Sequence, residues 1–286
     1  MSNTAHTISF DIEEYFHALS LREHFPQSDW DKIPSRLAVG MDQILSLLDR
    51  HKARATMFFL GWVAERHPAL VRRCVDAGHE IASHGYEHKL LWEIGEQGFD
   101  SDLERTEQAL VAAGATRPVG FRASTFTLTR RTWWAFDHLV RRGYRYDSSI
   151  HPVRHPTYGI PDFEPGISTV RVAAGAITEF PVLTRRMFGR NFPAGGGGYL
   201  RLLPYAFVRQ SVERADRAGR PAMIYVHPWE FDPMQPRMPA KWSSSIRHYR
   251  NLDRTAERVE DLLKRFRFVP ALELLGQAQS QAQGRP

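Results

Sequence analysis

Thr7-Ile8-Ser9-Phe10-Asp11-Ile12-Glu13-Glu14-Tyr15-Phe16 is an apolar run that ends in three carboxylates within four residues. A buried strand with this ending sets costly charged groups at the rim of a core. That rim is where α/β barrels keep their chemistry. Two later stretches repeat the pattern. Glu80-Ile81-Ala82-Ser83 leads into His84-Gly85-Tyr86-Glu87-His88, and Ile224-Tyr225-Val226 leads into His227-Pro228-Trp229. Arg122 follows Val119-Gly120-Phe121, and Asp147 follows Tyr144-Arg145-Tyr146. Each alone is ordinary, because charges after strands usually meet solvent. Five strand ends with compatible polar groups point to a site.

Between these strands, apolar residues at helical spacing cover 37–48, 64–77, 99–113, 131–142, 203–218 and 253–266. Gly78, Gly114 and Gly143 stand where helices stop. Alternation of this kind argues for parallel strands joined by crossover helices. The expected fold is therefore α/β, one elaborated barrel over residues 5–275. Residues 168–172 and 176–182 read as a β pair, 185–199 and 229–249 as long inserted loops, and 267–270 as a final strand. The tail at 276–286, rich in Gln and Gly, is expected to lack structure.

The 286 residues are 42% hydrophobic and 24% charged, enough for a proper core. Lys and Arg number 38 against 32 Asp and Glu. The excess is modest, the basic residues are scattered, and no nucleic-acid-binding module is present, so nucleic acid is not an expected partner. Acidic polymers and a membrane surface stay open as contacts. Cys74 is the only cysteine. It excludes an intramolecular disulfide and a Cys-rich metal site, and its helical apolar setting marks it as a small core residue. No run approaches the roughly 18 apolar residues of a membrane span. The polar start at 1–6 leaves no room for a signal peptide, so the expected location is cytoplasmic.

Along a strand, Asp11 and Glu13 point to one side and Glu14 to the other. Metal-assisted hydrolysis needs one carboxylate on the metal and another to take a proton from water. Asp11 and Glu13 could divide those tasks; the plainer alternative is that the acids cap the following helix. His84 and His88, four apart, share a face on a helical turn. A lone pair of this spacing is weak among 13 histidines, but it follows a strand. Two imidazoles and a carboxylate make a three-ligand set with an open position. His227 can serve as acid or base near neutrality. The pattern reads as a metal-dependent hydrolase.

These stretches resemble the polysaccharide deacetylase (NodB-homology) carbohydrate esterases, and within them the branch associated with exopolysaccharide loci and the exosortase system. The likeness runs from about Thr7 to Leu275. Ser9 to Phe16 resembles that branch's first motif, and Ser83 to His88 the metal-binding histidine motif. Gly120-Phe121-Arg122-Ala123 resembles the arginine motif, Tyr146 to Ile150 the fourth, and His227 to Pro233 the last. Gly197 to Tyr205 resembles a branch-specific segment.

The resemblance implies a distorted (β/α) barrel of about seven parallel strands rather than eight. It implies removal of acetyl from an N-acetylated sugar or oligosaccharide. By position, Asp11 would be the general base and His84 and His88 ligands of a divalent ion, with zinc the expected ion. His227 would be the general acid, Arg122 would orient Asp11, and Asp147 would hold His227. Ile12 stands where many relatives have a second aspartate, so the carboxylate ligand becomes Glu13, with Glu14 as the alternative. Ser124 replaces a frequent proline after Arg122-Ala123. Tyr199, Trp229 and Trp242 offer flat faces for sugar rings, although such aromatics more often pack loops. A cytoplasmic location would suit a lipid-linked or nucleotide-linked precursor. The rival readings are a catalytically silent carbohydrate-binding scaffold and an amidohydrolase of small non-sugar amides.

Overall fold

The computed structural model describes residues 4–239 and 242–283. Its strands are β1 (Ala5–Ile12), β2 (Thr56–Phe59), β3 (Glu80–Ser83), β4 (Gly120–Phe121), β5 (Tyr146–Asp147), β6 (Ser168–Val172), β7 (Gly175–Glu179), β8 (Thr184–Met187), β9 (Arg190–Pro193), β10 (Met223–Val226) and β11 (Arg267–Phe268). The main sheet runs β10-β1-β2-β3-β4-β5-β7-β6, with β11 beside β1. β10, β1, β2, β3, β4, β5 and β7 are parallel, and β6 turns back antiparallel on β7. β1, β2 and β10 are buried along nearly their whole length, as parallel strands covered on both faces must be.

The ring closes through bridges, not a further strand. Val182, just past β7, pairs in parallel with Met223, and Gly196 with Tyr225. The Leu183 N–H donates to Met223 O at 2.9 Å, and the Tyr225 N–H to Gly195 O at 2.8 Å. A Cβ on Gly195 would sit 2.7 Å from Met223 O, and one on Gly196 2.7 Å from the Tyr225 hydroxyl oxygen. The glycine run is thus what lets the chain lie against β10. The result is the distorted α/β barrel expected from the sequence.

One helix expected as a single piece is broken at a proline. Residues 64–77 divide into Gly61–Arg66 and Pro68–Asp76, because Pro68 opens a new helix at its first turn, where its missing N–H costs nothing. The helix expected at 203–218 forms in one piece as Tyr205–Arg217, and a separate short helix, Gly197–Leu202, precedes it across Pro204. The expected loop at 185–199 contains the β8–β9 hairpin, and 229–249 ends in the helix Trp242–Tyr249. The tail expected to lack structure is mostly helix, Ala271–Gln283; residues 284–286 lie outside the described residues. Ala and Gln are good helix formers, and buried Leu274 and Leu275 anchor the start.

Candidate active site

The carboxyl ends of β1, β3, β4 and β10 bring the polar side chains together. Asp11 sits within β1, with Phe58 of β2 as its register partner. Arg122, fully buried just past β4, donates from Nη1 to Asp11 Oδ1 at 2.6 Å and to Ser9 Oγ at 2.8 Å. Its Nε and Nη2 bind the backbone oxygen and hydroxyl of Ser148 at 3.1 and 3.0 Å. Its guanidinium lies 4.1 Å over the Phe58 ring. Every part of that fork is engaged, so Arg122 fixes Asp11 through Oδ1 and leaves Oδ2 toward His227.

Glu13, His84 and His88 converge, with one ligand atom from each within 4.8 Å of the others. The two histidines do not share a helical turn, as their spacing suggests. They lie on a loop shaped by Gly85 at φ +77° and His88 at φ +53°, and their rings stand 5.5 Å apart. His84 Nδ1 is 2.8 Å from Arg122 O. A carbonyl only accepts, so Nδ1 carries the proton and Nε2 keeps a free lone pair. Glu13 Oε1 accepts from Trp229 Nε1 at 2.9 Å. Glu13 Oε2 lies 2.8 Å from His88 Nε2 yet has no hydrogen bond of acceptable geometry. An orphaned buried carboxylate oxygen beside two imidazole nitrogens fits a divalent cation. Burial alone would raise the Glu13 pKa, but the imidazoles of His88, His227 and His84 outweigh it and hold the carboxyl well below the usual range.

Glu14 faces elsewhere. It accepts from the Ser35 hydroxyl and from the Arg36 N–H at 3.1 Å, and it caps the short helix Tyr15–His17. The capping role weighed for this acidic cluster therefore belongs to Glu14.

His227, just past β10, points Nε2 into the site, 3.7 Å from Glu13 Oε1 and 3.9 Å from Asp11 Oδ2. Its partner is not Asp147. Nδ1 lies 2.7 Å from Glu230 Oε1, and Glu230 is held from behind by Nε of the buried Arg201 at 2.5 Å. Arg201 also donates to the backbone oxygens of Arg247, His248 and Arg250. Burial alone would lower the His227 pKa; Glu13, Glu230 and Asp11 overcome it and raise it to about 9. Burial would raise Glu230, but Arg201 and His227 bring it down to about 2. Asp147 instead accepts from the Ser149 N–H and hydroxyl at 2.9 and 2.6 Å and pairs with the buried Glu179. Ser149 in turn accepts the Ala123 N–H at 2.7 Å. Asp147 thus braces the arginine loop, and the expected Asp147–His227 contact is corrected.

The expected sugar platforms fare unequally. Trp229 is stacked against His227 and His248, at 4.9 and 4.3 Å, and holds Glu13, so it positions the site. Trp242 is 80% exposed at the start of its helix and makes no ring contact with the site. Tyr199 shares a 3.0 Å contact between hydroxyls with Tyr158. Together with Phe126, Tyr225 and His151 these rings form an aromatic wall beside His227. Glu230, Arg201 and His151 were not singled out in the sequence. The spacing His227-x-x-Glu230 was the available signal, since i and i+3 meet at the start of a helical turn.

Comparison with known proteins fits this geometry. Residues 29–143 match the family model described as polysaccharide deacetylase. That stretch of the chain is similar to polysaccharide deacetylases. Residues 148–276 match a second model, a domain of unknown function, DUF3473. His84, His88 and Arg122 fall in the first stretch, His227 and Glu230 in the second, and Asp11 and Glu13 ahead of both. A peptidoglycan deacetylase-like protein of Gibberella zeae is 32% identical over 114 residues, 39% of this chain and 33% of that protein. The chain therefore spans about a third of that relative. A candidate polysaccharide deacetylase of Mycobacterium smegmatis shares the fold, with a TM-score of 0.66 at 20% identity over 98% of this chain and 92% of that one. A pseudoenzyme of carbohydrate esterase family CE4 from Bacillus anthracis shares it with a TM-score of 0.50 at 13% identity, over 96% and 66% of the two chains.

Proposed function

We propose that this protein is a metal-dependent hydrolase that removes N-acetyl groups from an N-acetylated sugar or oligosaccharide, releasing acetate. The observation that carries the reading is the convergence of Glu13, His84 and His88 with Asp11 and His227 at their border. A divalent ion held by that triad, zinc first, would polarise the acetyl carbonyl and acidify the attacking water. Asp11 takes the water's proton at Oδ2, while Arg122 holds Oδ1. His227, kept as an imidazolium by Glu230, donates its Nε2 proton to the amine nitrogen as the C–N bond breaks. Trp229 fixes Glu13, and Arg201 fixes Glu230. The sugar lies against the aromatic wall at Tyr199 and Tyr225.

The finer reading is a role in bacterial exopolysaccharide biosynthesis in the cytoplasm, on a lipid-linked or nucleotide-linked precursor. It is supported by the branch-like segment at 197–205, whose Arg201 anchors Glu230. No helix among the described residues is long and apolar enough to cross a membrane. The fold alone does not decide catalysis, because a pseudoenzyme shares it. Metal-replete protein incubated with N-acetylglucosamine oligosaccharides should release acetate, and Asp11→Asn should abolish release while retaining metal. Sugar binding without acetate would make it a binding protein. Turnover of small amides alone would make it an amidohydrolase of another class.

A further inference from the structure

A basic cavity stands apart from this site. The β8–β9 hairpin leaves the barrel wall beside Met223, the first residue of β10, at the end away from His227. Against it lie the last turns of the helix Tyr205–Arg217 and the turn Arg220-Pro221 that enters β10. The space between them is about 350 Å³ and partly open, and its polar walls include Thr184, Arg185, Arg186, Asn191, Arg214 and Arg220, with Ser211 and Glu164 beside them.

Its polar groups are not satisfied from within the protein. Thr184 Oγ1, Arg185 Nε and Nη1, and Asn191 Oδ1 are buried without a hydrogen-bond partner. Among the described residues, no carboxylate forms an ion pair with Arg185, Arg186, Arg214 or Arg220. Glu164 is the acid on the wall, set against four guanidinium groups. Two plainer accounts cover part of this. Arg214 lies in the last turn of its helix, where a cation suits the helix dipole. The Arg185 guanidinium lies 4.9 Å over Phe207, a cation–π contact. Neither gives the Arg185 N–H groups an acceptor, and buried donors in folded proteins nearly always have one.

A guanidinium fork fits tetrahedral and planar oxyanions bidentately. Several such forks around one cavity suit a multiply charged oxyanion. We propose that this cavity binds a phosphate-bearing ligand, a phosphate monoester or a diphosphate, through Arg185, Arg186, Arg214 and Arg220, with the Thr184 hydroxyl as a further donor. The phosphate has two sources of the same chemistry, a soluble phosphorylated compound or a phospholipid headgroup. Phe188 bears on the second. It is 95% exposed at the hairpin tip, two residues beyond Arg186 and two before Arg190.

Inorganic pyrophosphate titrated into the full chain by calorimetry, at constant ionic strength, tests the cavity. One saturable site is expected, weakened at least tenfold in Arg185→Gln. The double variant Arg214→Gln/Arg220→Gln changes exposed side chains only and should weaken binding comparably. Absence of saturable binding by the unaltered protein, or equal affinity in both variants, overturns the proposal. Sedimentation with phosphatidic acid vesicles against pure phosphatidylcholine vesicles separates the sources. Capture by the acidic vesicles alone, lost in Phe188→Ser while pyrophosphate still binds, assigns a lipid headgroup. No capture, with pyrophosphate binding intact, assigns a soluble ligand. Capture unchanged in Arg185→Gln counts against the cavity. None of these outcomes depends on deacetylation.

Discussion

His227 Nδ1 and Glu230 Oε1 lie 2.7 Å apart across one short helical turn, Pro228–Phe231. The same Oε1 accepts the His227 backbone N–H at 3.1 Å. One carboxylate therefore fixes both the ring and the main chain of the proposed acid. Arg201, behind it, keeps that carboxylate ionised.

This relationship predicts a pH dependence. A cation at Glu13 would cancel much of that residue's pull on His227, leaving Glu230 as the main group that keeps the imidazole protonated. The alkaline limb of kcat/KM should report this imidazolium. Glu230→Gln removes the charge and keeps the shape, so the limb should move to lower pH. A movement of one unit corresponds to about 1.4 kcal/mol of lost differential stabilisation. Asp147→Asn should leave the limb where it is. The reverse pattern would restore Asp147 as the partner.

Gly197 is tied to the same carboxylate. A Cβ there would lie 2.0 Å from Glu230 Oε1 and 2.5 Å from its Cδ. Gly197→Ala should push Glu230 off His227, lower stability by about 1–3 kcal/mol as overpacking does, and reduce turnover. Gly198, with nothing within 4 Å of a Cβ, is the control. Equal melting temperatures and rates for the two alanine variants would refute the close packing.

Glu13 and Glu14 are adjacent but should separate cleanly. Glu13→Ala should lose bound metal by elemental analysis and keep most of its melting temperature. Glu14→Ala should keep metal and lose about 1–2 kcal/mol of stability, because the Arg36 N–H and Ser35 hydroxyl lose a buried acceptor. Greater metal loss in Glu14→Ala would exchange the assignments.

Much of this was readable from residue order alone. Strand-ending polar groups marked Asp11, Glu13, His84, His88, Arg122 and His227, because a parallel barrel gathers its carboxyl ends on one face. The partner of His227 was not. Asp147 ends a strand as His227 does, and linear order does not say which strand ends touch once a ring has closed. Closure here depends on Val182 and Gly196 bridging β10 outside any strand, which leaves no periodic signal. Trp229 was read as a sugar platform because an indole looks alike whether it meets ligand or protein. Its Nε1 contact with Glu13 is visible only in three dimensions.

His151 is fully buried, with neither ring nitrogen hydrogen-bonded. The groups around it are the rings of Phe126, Tyr158 and Tyr199, with His155 and Arg122 adding positive charge. Burial first, then those two cations, lowers its pKa from 6.5 to about 3. Between those values the unfolded chain binds a proton that the folded chain refuses. Stability from this group is therefore complete above about pH 6.5 and falls as the pH drops toward 3. His79, lowered to about 4 by burial, adds to the same slope. His151→Phe keeps a flat ring and removes both nitrogens, and burying an unpaired polar group is a cost the variant escapes. The difference in melting temperature between pH 7.5 and pH 5 should then shrink, with the variant at least as stable as the original at pH 5. His79→Phe should shrink it separately, because the two positions lie on different strand-end loops and share no partner. If the His151→Phe melting curve tracks the original through the whole range, the imidazole is solvated in the folded protein and the account of its burial fails.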